Sequence, residues 1–139
     1  MNARIPAGST NGSFLSRDRT RIGYLQMGTG PGLVLLHGSM QSSRSFTSLG
    51  AALCHAFTIY IPDRRGRGLS GPFGDNYGMR TEIEDLGGLL DVTDSRNVFA
   101  LSSGALVALQ CALTSPSIRK LALYEPPLEV GARPSPLDC

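Results

Sequence analysis

Apolar positions along this chain follow two alternating rhythms: short continuous or every-other-residue runs, and stretches in which they recur every three or four residues. Phe14-Leu15 and Arg21 to Met27, separated by the polar Ser16-Arg17-Asp18-Arg19, predict an opening hairpin. Gly28-Thr29-Gly30-Pro31-Gly32 is a turn, and Leu33-Val34-Leu35-Leu36 follows as a strand apolar on both faces, the pattern of a central parallel strand. Ser43 to Cys54 reads as a short helix and Phe57 to Ile61 as a strand stopped by Pro62. Gly66, Gly68, Gly71, Pro72 and Gly74 make Asp63 to Asn76 a loop. Met79, Ile83, Leu86 and Leu90 then recur at helical spacing, in a helix that Gly87-Gly88 weakens. Val98 to Leu101 predicts a strand, Ala105, Leu109, Ala112 and Leu113 one face of a helix, and Leu121 to Tyr124 a last strand ended by Pro126-Pro127. Strands alternating with helices predict an α/β fold, a mostly parallel sheet with flanking helices. The expected divisions are a polar tail over 1–12, a core over 13–128 and an irregular tail over 129–139.

Composition narrows the function classes. The 139 residues are 41% hydrophobic and 17% charged, a balance able to bury a core. A net charge of +2 is too small to argue for nucleic acid or an anionic membrane. The uncharged run Asn97 to Ile118 is long enough to span a bilayer, but its change of rhythm from strand to helix makes it core instead. Cys54, Cys111 and Cys139 show no metal-ligand spacing, and no apolar leader is readable at the start, so a reduced, cytoplasmic setting is expected, with no metal or organic cofactor.

Three junctions carry candidate chemistry. At Val98-Phe99-Ala100-Leu101-Ser102-Ser103-Gly104 a strand turns directly into a helix, which lifts Ser102 off the sheet edge and requires small residues at positions 100 and 104. Ser102 could equally be a plain helix cap. His37-Gly38-Ser39-Met40 leaves the carboxyl end of the central strand, where open α/β sheets place their sites. The amides of Ser39 and Ser103 could together cradle a developing oxyanion. His37, beside a turn glycine, is read as fixing the loop by hydrogen bonding rather than as a base. Asp63-Arg64-Arg65-Gly66-Arg67-Gly68-Leu69-Ser70 could clamp an anion, but a structural crossing loop with a solvated basic face is the expectation. It matches neither phosphate-binding glycine fingerprint.

In their order and wording these stretches resemble the α/β-hydrolase superfamily, from Phe14 to Pro127. His37-Gly38 is similar to that family's oxyanion loop, and Asp63 to Ser70, with Asp63, Arg65, Gly66 and Gly68, to its D-x-R-G-x-G-x-S loop. Ala100 to Gly104 is similar to its G-x-S-x-G turn, and Tyr124-Glu125-Pro126-Pro127 to the segment after its sixth strand. The resemblance implies Ser102 as nucleophile, Ser39 and Ser103 as oxyanion donors, and a small ester or acyl substrate. It also implies Glu125 as a candidate triad acid. Ala100 departs from the first glycine of the turn. No histidine follows His55, although the family places its base after the last strand. His55 is expected at the opposite end of the sheet from Ser102. Weak or absent turnover by this chain follows, with a non-catalytic ligand-binding module on the same fold as the alternative. A sheet ending at its sixth strand would present an open edge, so self-association is also expected.

Overall fold

The computed structural model describes residues 4–128. One sheet contains β1 (Thr10–Leu15), β2 (Arg21–Gly28), β3 (Gly32–Leu36), β4 (Thr58–Pro62), β5 (Asn97–Leu101) and β6 (Lys120–Tyr124), in the order β1-β2-β4-β3-β5-β6. β1 to β2 and β2 to β4 are antiparallel; β4-β3, β3-β5 and β5-β6 are parallel. A 3-10 turn (Ser43–Phe46) leads into α1 (Thr47–Leu53), followed later by α2 (Met79–Thr93) and α3 (Ser103–Thr114).

Side-chain alternation along the strands sets the layers. Val34, Leu36, Val98 and Ala100 face α2 and α3, packing on Leu86, Leu89, Leu90, Ala105 and Ala108. Leu35, Ile59 and Ile61 face the other way and pack with Phe46, Leu49 and Leu53 on the α1 side. β3 is apolar on both faces because it lies between β4 and β5 with helices on each side. The α1 side is incompletely covered: a groove of about 550 Å³ runs from α1 over β5 to β6, lined by Leu33, Leu49, Leu53, Phe57, Phe99 and Ala122.

Two features differ from the expectations, the start of β1 and the buried face of α3. β1 begins at Thr10, inside the segment read as a polar tail, because Asn11 and Gly12 are held by pairing with Leu25 and Tyr24 rather than by any hydrophobic pattern of their own. The 129–139 tail lies outside the described residues. α2 runs through Gly87-Gly88, and Gly88 seats the helix on β1, since a methyl there would lie 2.6 Å from the Phe14 ring. α3 buries Gly104, Ala105, Val107, Ala108 and Cys111, a face of small residues, while Leu113 is 73% exposed. Burial pushes the Cys111 thiol pKa up.

The 63–70 loop is structural, but its basic face is not solvated. Arg65 is fully buried. Its Nε and Nη2 grip both oxygens of Asp85 at 2.7 and 2.9 Å, and its Nη1 and Nη2 hold Asp18 at 2.5 and 2.8 Å. Hydrogen bonds from Arg65 hold the Asp18 carboxyl well below the usual carboxylate range. Asp63 is the loop's other anchor: Oδ1 accepts from Ser43 N–H at 2.7 Å and Oδ2 from Leu69 N–H at 2.8 Å. Gly68, at φ 47°, lies against that carboxylate, so that a methyl group there would be 2.2 Å from Oδ2.

Removing Arg65 leaves the Asp85 carboxylate buried without its cation, which costs more than the intact pair contributes. Arg65→Met is expected to lower the unfolding free energy by about 3 kcal/mol in urea titration. A loss under about 1 kcal/mol would show that water, or the Ser16 hydroxyl that also donates to Asp85 Oδ1, satisfies the carboxylate alone.

Candidate active site

Residue 102 is where strand becomes helix without an intervening loop. Its backbone, at φ 54° and ψ −122°, is in a region that non-glycine residues rarely occupy, at a cost of about 1–3 kcal/mol. Hydrogen bonds on both sides hold it there: its N–H donates to Tyr124 O at 2.9 Å, and its carbonyl accepts from Ala105 N–H at 2.9 Å. Gly104 permits the turn, because a methyl group there would lie 2.4 Å from His37 O and 2.9 Å from Leu36 O. At position 100 the extra methyl of alanine is simply absorbed, fully buried in the core under α2 and α3. Ser102 is a partly exposed residue and its side chain makes no cap hydrogen bond, so the plain-cap reading does not describe it.

The His37–Gln41 loop lies directly against this turn. A methyl at Gly38 would sit 3.3 Å from Ser102 Cβ. Gly38 N–H donates to Gln41 Oε1 at 2.8 Å, and Ser39 Oγ donates to Ser103 Oγ at 2.7 Å. Among the described residues, the N–H groups of Ser39 and Ser103 donate to no protein acceptor. His37 is fully buried and used at both ring nitrogens: Nε2 accepts from Arg64 N–H at 3.0 Å, so Nδ1 carries the proton and donates to Gly38 O at 2.8 Å. Burial lowers its pKa to about 4, which keeps the ring neutral.

The Asp63–Ser70 loop supplies contacts that no sequence pattern announced. Arg64, with a side chain 7% exposed, pairs through Nε with Glu82 Oε2 at 3.0 Å, while its Nη1 donates to His37 O at 3.1 Å and to Ser103 Oγ at 2.9 Å. Arg67 Nη2 donates to Ser39 O at 2.7 Å. The one available clue was the pair of acids Glu82 and Asp85 on the otherwise apolar face of α2. Gly66, at φ 76°, turns the chain and donates its N–H to Gly71 O at 2.9 Å.

The remaining candidates divide between the two ends of the sheet. Glu125, exposed and at φ 48°, directly follows Tyr124, the residue paired with Leu101 and bonded to Ser102 N–H; it therefore stands at the same end as Ser102. His55 is exposed before the start of β4, at the end away from Ser102. Neither histidine is hydrogen-bonded to Ser102. Among the described residues, no cluster of metal-ligand type occurs and no helix is long and apolar enough to cross a membrane.

The buried neutral imidazole makes stability depend on pH. The unfolded chain binds a proton at His37 near pH 6.5, whereas the folded chain resists it down to about 4. Stability is therefore complete above about 6.5 and falls as pH drops through that window, by up to about 1.4 kcal/mol per unit. Urea unfolding at several pH values is expected to show this slope in the wild type and a flatter one in His37→Asn. Parallel curves would refute it.

Comparison with known proteins gives the family of the fold. The sequence profile of the Alpha/beta hydrolase family matches residues 33–138. An alpha/beta hydrolase from Sphaerobacter thermophilus superposes with a TM-score of 0.81 at 37% identity, over 86% of this chain and 46% of its own. A cis-3-alkyl-4-alkyloxetan-2-one decarboxylase from Shewanella oneidensis is 35% identical over 81 residues, 56% of this chain and 26% of that protein. The magnesium-chelatase 30 kDa subunit of Rhodobacter capsulatus is 36% identical over 98 residues, 68% of this chain and 34% of that protein. The chain thus spans about a third or less of these curated relatives. With the profile match extending over most of its length, the chain belongs to the alpha/beta hydrolase family.

Proposed function

We propose that the whole protein is a serine hydrolase of small acyl compounds in which Ser102 is the nucleophile and the amides of Ser39 and Ser103 bind the oxyanion. The observation that carries this reading is the strained backbone of Ser102, a partly exposed residue whose Cβ lies against Gly38, with two nearby amides that donate to no acceptor among the described residues. In the reaction, Ser102 Oγ adds to the acyl carbon and its proton leaves to a base. The carbonyl electron pair moves onto oxygen, where the two N–H groups stabilise it. Collapse expels the leaving group with a proton and leaves an acyl-serine, which water hydrolyses to acid and free serine.

Among the described residues, no histidine serves Ser102 as a base. His37 has both nitrogens engaged and stays neutral, and His55 lies at the far end of the sheet. The position of Glu125 just past β6, at the Ser102 end of the sheet, supports reading it as the acid of the proposed site. Without a base at Ser102, the chain alone is expected to turn over esters weakly or not at all, several powers of ten below a complete triad. The engagement of His37 at both ring nitrogens, away from Ser102, favours a second reading, a non-catalytic binding module on the same fold that holds a small molecule without covalent chemistry. Among the described residues, Cys54 and Cys111 are free thiols, which fits a reducing, cytoplasmic setting for either.

A fluorophosphonate probe and a p-nitrophenyl ester separate the two. Slow labelling lost in Ser102→Ala is the expected result; robust ester turnover would sink the claim of weak activity. An absence of any adduct, with ligand affinity unchanged in Ser102→Ala, would favour the binding module.

We also propose that the chain self-associates through β6. Among the described residues, the outer edge of that strand has no partner. An unpaired edge is a template for another strand. Size-exclusion chromatography is expected to show larger species as concentration rises, and a clean monomer at micromolar concentration argues against it.

A further inference from the structure

Two separate segments must be held in register for two amides to serve one oxyanion: the loop after β3, which carries Ser39, and the first turn of α3, which carries Ser103. A single buried side chain touches both. We infer that Arg64 is a positioning residue for the oxyanion site, its Nη1 tying the His37 carbonyl to the Ser103 hydroxyl. This rests on the nucleophile reading above and deepens it.

The division of labour between the two arginines supports the assignment. Arg65 directs its hydrogen bonds to Asp85, Asp18 and Thr20, between the loop and the body of the fold. Arg64 uses only Nε for its carboxylate, Glu82 Oε2, at 3.0 Å. Its Nη1 instead reaches His37 O at 3.1 Å and Ser103 Oγ at 2.9 Å. His37 and Ser103 belong to the segments that carry the two amides, and neither contact is needed to neutralise the charge. The guanidinium is planar and rigid, so fixing Nε on Glu82 also fixes where Nη1 points. Tyr77, whose hydroxyl donates to Glu82 Oε1 at 2.5 Å, holds the carboxylate from behind.

Further contacts in the same region reinforce the link. Ser39 Oγ donates to the same Ser103 oxygen at 2.7 Å, and Arg67 Nη2 holds Ser39 O at 2.7 Å. The Arg64 backbone N–H is also the donor that fixes the His37 ring, at 3.0 Å. One residue therefore sets the loop from its main chain and the loop-to-helix spacing from its side chain. Lysine, a point charge on a flexible stem, can reproduce the charge but not this two-ended geometry.

Phenylboronic acid tests the arrangement without needing a general base. Ser102 Oγ gives an electron pair to the empty boron orbital, the hydroxyl proton passes to water, and boron becomes a tetrahedral anion whose oxygen needs both amides. Boron-11 NMR and calorimetric titration read the adduct. Wild type is expected to form it, Ser102→Ala to form none, and Arg64→Gln to bind about tenfold more weakly, a loss comparable to one charge-assisted hydrogen bond in the adduct. Arg64→Lys should recover only part of the affinity. Ser103→Ala keeps the Arg64–Glu82 pair and the position 103 amide but removes the hydroxyl that Nη1 holds, so it should also weaken the adduct. It decides the matter if Arg64→Gln fails to fold. Wild-type affinity in Ser103→Ala, or in a folded Arg64→Gln, overturns the positioning role while leaving the nucleophile intact. An absence of tetrahedral boron in wild type overturns the nucleophile reading and this inference with it.

Discussion

The approach of α3 to the end of β3, permitted by the bare Cα of Gly104, is the constraint from which the rest of the site follows. Two backbone carbonyls, those of His37 and Leu36, occupy the space that a side chain would need. The helix can therefore begin immediately after β5, and the chain between them has no residue to spare. Ser102 absorbs the turn in its own backbone, and the stored strain is held by Tyr124 on one side and Ala105 on the other. A looser junction would relax Ser102 into an ordinary cap and separate it from Gly38.

Buried charge is the second organising feature. Two consecutive arginines enter the protein in opposite roles, one joining the loop to α2 and the β1–β2 turn, the other reaching the segments around Ser102. Both depend on acids of α2 that would be costly to bury alone. Helix α2 is thus less a hydrophobic plank than a carrier of counter-charges, with Glu82 and Asp85 one turn apart on its inner side. Because a charged pair removed from water needs good geometry to offset desolvation, these contacts specify arrangement more than they add stability.

Much of the architecture was legible because parallel strands covered on both faces leave an unmistakable run such as Leu33 to Leu36, and because proline and glycine mark where such runs stop. The strand-to-helix junction at Ser102 could also be read, but not whether its serine was more than a helix cap, because a cap serine stands at the same place in a sequence. What could not be read was any contact between distant segments. Asn11 and Gly12 have no strand propensity and are ordered only by their partners in β2. Leu113 looked like core because it is large and apolar, yet α3 packs through its smallest residues, whose contribution lies in letting backbones meet. Arg64 and Arg65 looked solvated because a basic turn usually is, and only the fold brings their acids from α2.

Cys111 lies on the inner face of α3, one end of the same helix whose other end begins beside Ser102. Its thiol is sealed against the sheet and its ionisation suppressed by burial. Any breathing that lifts this helix from its seat must expose that sulfur, so the protein carries a built-in chemical clock: the rate at which an alkylating reagent finds the thiol reports how often the scaffold beneath the serine comes undone.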